Sequence, residues 1–210
     1  DIGAVRARFG LSDRNLVLFY AGIIGHAQGL EVILRAASLT ARSAPEAVFL
    51  FIGDGPVRKE LEDQLRQLGL RNVRFIDGMP RSELLRTLAA FDAAVVPLKR
   101  TDLFKGAIPS KIFEALALHK PLLLGVEGEA KELFIDQGAA GQAFIPEDAE
   151  DLARKVVRYH DDRALLKTQG DNGARYVAEH FDRSVIGAAL CEAMKELLPG
   201  SGQGKQAVQA

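Results

Sequence analysis

Six short apolar runs recur along the chain, and each is followed by a longer segment with helical periodicity. The runs are nearly continuous in Val, Ile, Leu and Phe instead of alternating apolar with polar residues. Strands of this kind are buried on both faces, as in a parallel sheet covered by helices. The sequence therefore predicts an α/β fold with a doubly wound, Rossmann-like parallel sheet of six strands. The predicted strands are 16–20, 48–52, 73–76, 93–97, 121–126 and 141–145.

Helical periodicity fills the intervals between these runs and continues after the last of them. Two segments follow without an intervening strand and predict extra C-terminal helices. We expect residues 1–198 to form one domain and residues 199–210, which are polar and rich in glycine, to form a flexible tail. The predicted helices are 29–41, 57–68, 81–91, 109–119, 129–137, 147–159, 162–180 and 183–197.

Composition argues against several classes of protein. The net charge of −1 predicts no nucleic-acid partner, and no apolar run is long enough to span a bilayer. The single cysteine, Cys191, cannot form a disulfide framework and is predicted to be buried apolar filler. The four histidines lack the spacing of a metal site, so we predict no metal. The chain is expected to act in the cytoplasm.

Glycine-rich loops follow the first two predicted strands, where ligands bind in open parallel sheets. Gly22, Gly25 and Gly29 allow the backbone to approach a ligand closely, although a tight turn without a ligand explains them as well. The segment 53–58 matches half of a dinucleotide-binding pattern. It is better explained as a turn, with Pro56 opening the next helix.

The segment 108–117, IPSKIFEALA, follows a loop that carries three cations. We expect Pro109 to begin a helix, leaving the amides of Ser110 and Lys111 free for an anion. Glu114 lies one turn further along and is suited to accept hydrogen bonds from a diol. A diphosphate at the helix tip and a ribose one turn along describe a nucleotide sugar. The alternative is that Ser110 and Glu114 only cap a surface helix.

The motifs AGIIGHAQGLE, FLFIGDGP, NVRFIDGMP, FDAAVVPLK, IPSKIFEALALHKPLLLG and HFDRS occur in this order. From residue 16 to 197, this series resembles the C-terminal, donor-binding domain of group 1 (GT4) glycosyltransferases with the GT-B fold. The similarity is strongest to bacterial members that build surface polysaccharides. The resemblance implies a hexosyltransferase-like enzyme that takes sugar from a UDP- or GDP-linked donor, with retention and without a metal or other cofactor.

The resemblance also implies roles for individual residues. Lys111 and Glu114 would be catalytic, with Lys111 at the diphosphate and Glu114 at the ribose. The sequence departs from the family pattern in two respects, since Gly106 replaces the first acid of its E-x7-E motif, and Ile23 and Gln28 stand where Arg and Lys are common. The implied donor-binding residues are Gly22, Gly25, His26, Gln28, Gly78, Met79, Lys105, Gly106, Ser110, Lys111 and Glu114.

Members of this family have an N-terminal acceptor-binding domain, to which nothing in this chain corresponds. The resemblance thus implies that the chain is the donor half of the enzyme and is inactive alone. The acceptor would be a lipid-linked saccharide, with the full-length protein peripheral at the inner membrane face. Two alternatives stay open, a nucleotide-sugar 2-epimerase of the same fold and a non-catalytic nucleotide-binding module.

Overall fold

The computed structural model describes residues 1–197, which form a six-stranded parallel sheet flanked by helices. The strand order β3-β2-β1-β4-β5-β6 is that of a doubly wound Rossmann-like fold, which confirms the predicted fold class. All five strand pairs are parallel. The strands are β1 (Leu16–Ala21), β2 (Ala47–Ile52), β3 (Val73–Ile76), β4 (Ala93–Pro97), β5 (Leu122–Gly125) and β6 (Gly141–Ala143).

Helices connect the strands and cover both faces of the sheet. The predicted extra helices are present as α8 and α9, and α6 continues as a π-helical turn over Glu132–Gln137. The helices are α1 (Ile2–Arg8), α2 (Glu31–Thr40), α3 (Arg58–Leu68), α4 (Arg81–Leu88), α5 (Lys111–Ala117), α6 (Glu129–Lys131), α7 (Ala149–Asp161), α8 (Arg163–Phe181) and α9 (Arg183–Leu197).

Two hydrophobic cores lie on opposite faces of the sheet because successive side chains of a strand point to opposite sides. Leu16, Leu18 and Tyr20 of β1 enter one core, and Val17 and Phe19 enter the other. All five side chains are at most 2% exposed. Burial on both faces explains why the strands read as continuous apolar runs.

Helix α1 was not predicted from the sequence. The Asp1 carboxylate caps it by accepting from the Gly3 amide at 2.9 Å. Its Arg6 is buried, and the guanidinium donates to the carbonyls of Ala90 and Asn15 at 2.9 and 2.7 Å. Because the residue that α1 buries is an arginine, the helix shows no apolar periodicity in the sequence and was not predicted.

Two further predictions were wrong in detail. Helix α5 begins at Lys111 instead of Pro109, with Ser110 as its N-cap residue, so Pro109 precedes the helix. Cys191 is exposed on α9 and is not buried filler. The predicted tail, 199–210, lies outside the described residues. Within the described part of the chain, no helix is both long and apolar enough to cross a membrane.

Candidate functional site

The strand order reverses between β1 and β4, and this switch point is where open α/β sheets bind ligands. The glycine loop beginning at Gly22 follows β1, and the loop that leads to Lys111 follows β4. A Cβ built on Gly22 would lie 3.0 Å from the Lys111 Nζ. The fold therefore brings together two predicted site residues that are far apart in sequence.

The ammonium group of Lys111 is held over the ring of Tyr20, with Nζ 3.7 Å from the ring centroid. This distance is typical of a cation–π contact. Nζ has no hydrogen-bond or salt-bridge partner among residues 1–197. Burial lowers the pKa of Lys111 to about 8, and the Glu114 carboxylate acts in the opposite direction. A desolvated cation that forms no direct salt bridge is suited to receive an anion.

Tyr20 also shapes the glycine loop. Its hydroxyl donates to the Ile23 carbonyl at 2.5 Å, and the Ile23 side chain is 70% exposed. Burial raises the pKa of Tyr20, so the hydroxyl stays protonated and remains a donor. Tyr20 thus holds the loop backbone through its hydroxyl and contacts the Lys111 ammonium through its ring.

The loops after β1 and β2 are in direct backbone contact. The Ile24 amide donates to the Asp54 carbonyl at 2.9 Å. Gly53 has φ +133°, and a Cβ there would come within 2.2 Å of the Gly22 carbonyl oxygen. Only glycine fits this position, so segment 53–58 is more than a connecting turn. Its helix, α3, begins at Arg58 instead of Pro56.

A cleft of about 260 Å³ opens at the carboxyl ends of β1, β2 and β3. The glycine loop after β1 connects it to the switch point between β1 and β4, and we call it the switch-point cleft. Arg58 braces its wall, donating to the Gly53 carbonyl at 2.9 Å and pairing with Asp77 at 2.8 Å. The hydrogen bonds to Glu62 and Asp77 raise the pKa of Arg58. Residues lining the cleft are Gly22, Ile23, Ile52, Gly53, Asp54, Gly78, Met79 and Leu84.

Glu114 lies on the first turn of α5 and is not turned into the core, since its side chain is 30% exposed. Its carboxylate pairs with Arg81, the first residue of α4, at 2.9 Å. Arg81 follows Met79 of the cleft wall by two residues, so the ion pair between Arg81 and Glu114 connects the cleft wall to α5. The carboxylate is therefore held near the cleft, with one oxygen engaged by Arg81.

The remaining predicted site residues lie on separate loops and are not brought together as Gly22 and Lys111 are. Gln28 contacts the loop at Gly25, where a Cβ would lie 2.9 Å from its Oε1, a buried atom without a hydrogen-bond partner among the described residues. His26 is exposed in a short 3₁₀ turn. Lys105 pairs with Asp102 at 2.7 Å on another loop. A Cβ on Gly106 would meet nothing within 4 Å.

Metal ligands were not expected from the sequence. No group of three or more His, Cys, Asp or Glu residues among the described residues is arranged to hold a metal ion. That the reaction needs no metal stays a prediction.

Four residues of the site were missed in the sequence. Tyr20 ends an apolar strand and reads as core, and Arg81 and Arg58 read as ordinary helix-surface cations. Gly53 offered a signal, because a glycine directly after a strand often marks a close backbone approach. The arginines gave none, since their partners lie in other loops.

The chain is similar to sugar-transferring enzymes over most of its length. It is 30% identical over 195 residues to the alpha-D-kanosaminyltransferase of Streptomyces kanamyceticus, covering 92% of this chain and 48% of the relative. It is 26% identical to a GDP-mannose-dependent phosphatidylinositol monomannoside mannosyltransferase of Mycolicibacterium smegmatis, covering 97% of this chain and 52% of the relative. The chain thus spans about half the length of these relatives.

Solved structures share the fold. Anabaena Alr3699/HepE in complex with UDP superposes with a TM-score of 0.80 at 21% identity, covering 93% of this chain and 52% of that one. The C-terminal domain of a group 1 glycosyl transferase (LpcC) from Francisella tularensis gives 0.70 at 20% identity, covering 87% and 94%. The family model for glycosyl transferases group 1 matches residues 1–176. The chain therefore belongs to the glycosyl transferases group 1 family, as a C-terminal domain of the GT-B type.

Proposed function

We propose that this chain is the donor-binding half of a glycosyltransferase that transfers a sugar from a nucleoside diphosphate sugar. The observation that carries the proposal is the Lys111 ammonium, held beside Gly22 at the switch point without a direct salt bridge to any described residue. A diphosphate placed there would supply the missing counter-charge. Relatives named for sugar transfer, and a neighbour solved with UDP and with UDP-glucose, support this reading over an epimerase or a non-catalytic module.

The same geometry suggests how the site would assist the reaction. Negative charge develops on the diphosphate as the sugar leaves, and a cation fixed in advance stabilises that charge without reorganisation. Lys111 would supply it, with the Ser110 hydroxyl as an added donor. Glu114 would accept from the ribose hydroxyls, and the backbone at Gly78 and Met79 would face the base. No metal or other cofactor is part of this proposal.

The acceptor side would come from an N-terminal domain, since the chain spans about half of its relatives. Helix α9 exposes Ile186, Leu190 and Met194 by 50 to 59%, which suits contact with such a domain. We propose that the chain alone binds donor without turnover and that the whole enzyme retains anomeric configuration. Its acceptor would be a lipid-linked saccharide for a surface polysaccharide, reached from the cytoplasm at the inner membrane face.

The Glu114→Gln substitution tests the ribose contact. The chain is first titrated with UDP and GDP by calorimetry to identify the preferred base. We then expect Glu114→Gln to weaken the preferred nucleotide about tenfold, because the hydrogen bonds to the ribose lose their charged acceptor. The 2′,3′-dideoxy nucleotide should bind wild type and variant alike, since it offers no hydroxyls to Glu114.

The control is Glu83→Gln, which removes a carboxylate on α4 that pairs with Arg8. It should leave nucleotide binding unchanged. If Glu114→Gln weakens the normal and dideoxy nucleotides equally, Glu114 does not contact the ribose. If neither UDP nor GDP binds the wild-type chain, the proposed function itself fails.

The Arg81→Ala substitution tests whether Arg81 positions Glu114. Exposed ion pairs contribute about 0.2 to 1 kcal/mol, so we expect nucleotide binding to weaken roughly two- to fivefold. Arg81→Lys should restore part of the loss, and Arg86→Ala on the same helix should have no effect. Tighter binding by Arg81→Ala would contradict this role and mean that Arg81 competes with the ribose.

A further inference from the structure

A second cavity lies at the opposite end of the sheet, beneath the amino ends of the strands. Its walls are the turns that precede β1, β2, β4 and β5 together with the start of α8. We call it the amino-end groove. Its volume is about 730 Å³, within the usual range for small-molecule sites. Strand β1 has six residues, so the groove and the switch-point cleft lie roughly 17 Å apart.

The back of the groove is fixed by close packing between α8 and the turn after α5. A Cβ on Gly170 would come within 2.2 Å of the His119 carbonyl oxygen, so α8 rests directly on this turn. His119 itself has φ +57°, a conformation that non-glycine residues adopt rarely. Both features hold the next residue, Lys120, in place at the groove.

Acidic residues also line the groove, but most of them are neutralised from within the protein. The pKa of His160 is raised by hydrogen bonds to Asp161 and Glu46, which favours its charged form. Asp13 is the remaining acid and has no ion pair among the described residues. The neutralised pairs are Glu46 with His160 at 2.7 Å, Asp92 with Arg6 at 3.4 Å and Asp171 with Lys167 at 2.6 Å.

Three cations of the groove form no direct salt bridge among the described residues. Lys120 is half-buried, and its ammonium group makes no hydrogen bond or salt bridge within residues 1–197. Arg163 donates to the Arg14 carbonyl at 3.1 Å and interacts with the nearby Glu46 without a direct ion pair. The guanidinium of Arg14 forms no ion pair in the described part of the chain. Asp13 offsets one of these charges and Asp161, which shares His160 with Glu46, offsets a second, so the groove carries an excess of about one positive charge.

We propose that the amino-end groove is a second binding site, for a small organic anion. Lys120 supplies a partly desolvated cation, and the two arginines supply planar donors that match a phosphate or carboxylate. Burial lowers the pKa of Lys120, and the nearby Arg6 adds to this effect while Asp92 opposes it. A bound anion would stabilise the charged form of Lys120, which burial disfavours. The site is separate from donor binding and does not depend on it.

The probe is inorganic phosphate, titrated into the ¹⁵N-labelled chain at about pH 8, where a phosphate group carries close to two charges. We expect saturable shifts of the amides of His119, Lys120 and Arg163. Lys120→Gln should weaken the apparent affinity at least fivefold, and so should Arg14→Gln, which alters an exposed side chain and leaves the fold intact. Lys155→Gln, at a half-buried lysine outside the groove, should leave it unchanged.

UDP titrated into the same variants provides the second arm. UDP should shift the amides of the switch-point cleft equally well in wild type and in Lys120→Gln. The proposal is overturned if phosphate gives no saturable shift in the groove, if it shifts only the cleft, or if Lys120→Gln and Arg14→Gln bind phosphate as wild type does. Failure of UDP to bind would overturn the proposed function and leave this site standing.

Discussion

Replacing Lys111 with methionine is expected to weaken binding of the preferred nucleotide, UDP or GDP, by roughly a hundredfold, on the order of 3 kcal/mol. Methionine keeps most of the side-chain volume that packs against Tyr20 but removes the positive charge. A diphosphate would then enter a partly desolvated cleft without a counter-ion. Calorimetric titration of both proteins measures the difference directly.

The pH dependence of binding gives a second readout of the same residue. With its pKa lowered to about 8, Lys111 is charged at neutral pH and loses its proton above that value. A bound diphosphate favours the protonated form, so affinity should be highest below pH 8 and fall as pH rises through it. Between about pH 7.5 and 9, we expect a five- to tenfold loss in wild type. Lys111→Met should show a flat profile over that range.

The same substitution should stabilise the folded chain. The folded pKa of Lys111 lies below its unfolded value near 10.4, so the unfolded state binds more protons between these two values. Wild-type stability should therefore rise as pH rises from 8 to 10. At pH 7 the burial penalty is fully present, and Lys111→Met should remove on the order of 1 to 3 kcal/mol of it.

The control for all three measurements is Lys155→Met, which removes a half-buried lysine from α7. It should change neither nucleotide affinity nor its pH profile. A Lys111→Met variant that binds nucleotide as tightly as wild type would place the diphosphate elsewhere. A variant that is less stable at neutral pH would mean that the lysine is retained for packing.

Among substitutions in the candidate site, Gly53→Ala is expected to cause the largest decrease in the free energy of unfolding. The new Cβ would meet the Gly22 carbonyl oxygen at 2.2 Å, and the φ of +133° is strained for any L residue. Steric overlap and backbone strain each cost about 1 to 3 kcal/mol, so we expect a loss of about 3 kcal/mol or more. The melting temperature should fall by roughly 6 to 12 °C.

Nucleotide binding should be lost with it, because relief of the clash requires the loops after β1 and β2 to separate. Gly106→Ala is the matched control for stability, since its Cβ would meet nothing within 4 Å. A Gly53→Ala protein that melts within a degree or two of wild type would show that the two loops are not rigidly packed. Thermal melts followed by circular dichroism distinguish these results.

Much of the fold could be predicted because burial on both faces of a parallel sheet leaves a direct imprint on the chain. All six strands lie within one or two residues of their predicted positions. The start of α5 was wrong by two residues, because proline permits a helix start but does not enforce it, and here the first regular turn forms after Ser110. Helix α1 was missed because its buried residue is an arginine.

The candidate site was predictable only as a set of loops. Glycines after β1 and the Ser-Lys-x-x-Glu spacing on α5 mark where a ligand could bind, and local sequence carries that information. The contacts between these loops join residues that are distant in sequence, and local sequence does not predict them. Three of the six strands lie between Tyr20 and Lys111 in the sequence, yet their side chains are in van der Waals contact.

The sequence by itself determined the layered architecture, the two cores and the residue types offered at the carboxyl edge of the sheet. Only the tertiary structure decided which charges are compensated. Glu114 is paired with Arg81 and Lys105 with Asp102, whereas Lys111 and Lys120 are half-buried and form no direct salt bridge among the described residues. The physical reason is that an apolar run is recognised from neighbouring residues, but the partner of a charge is chosen by which distant loops meet at a sheet edge.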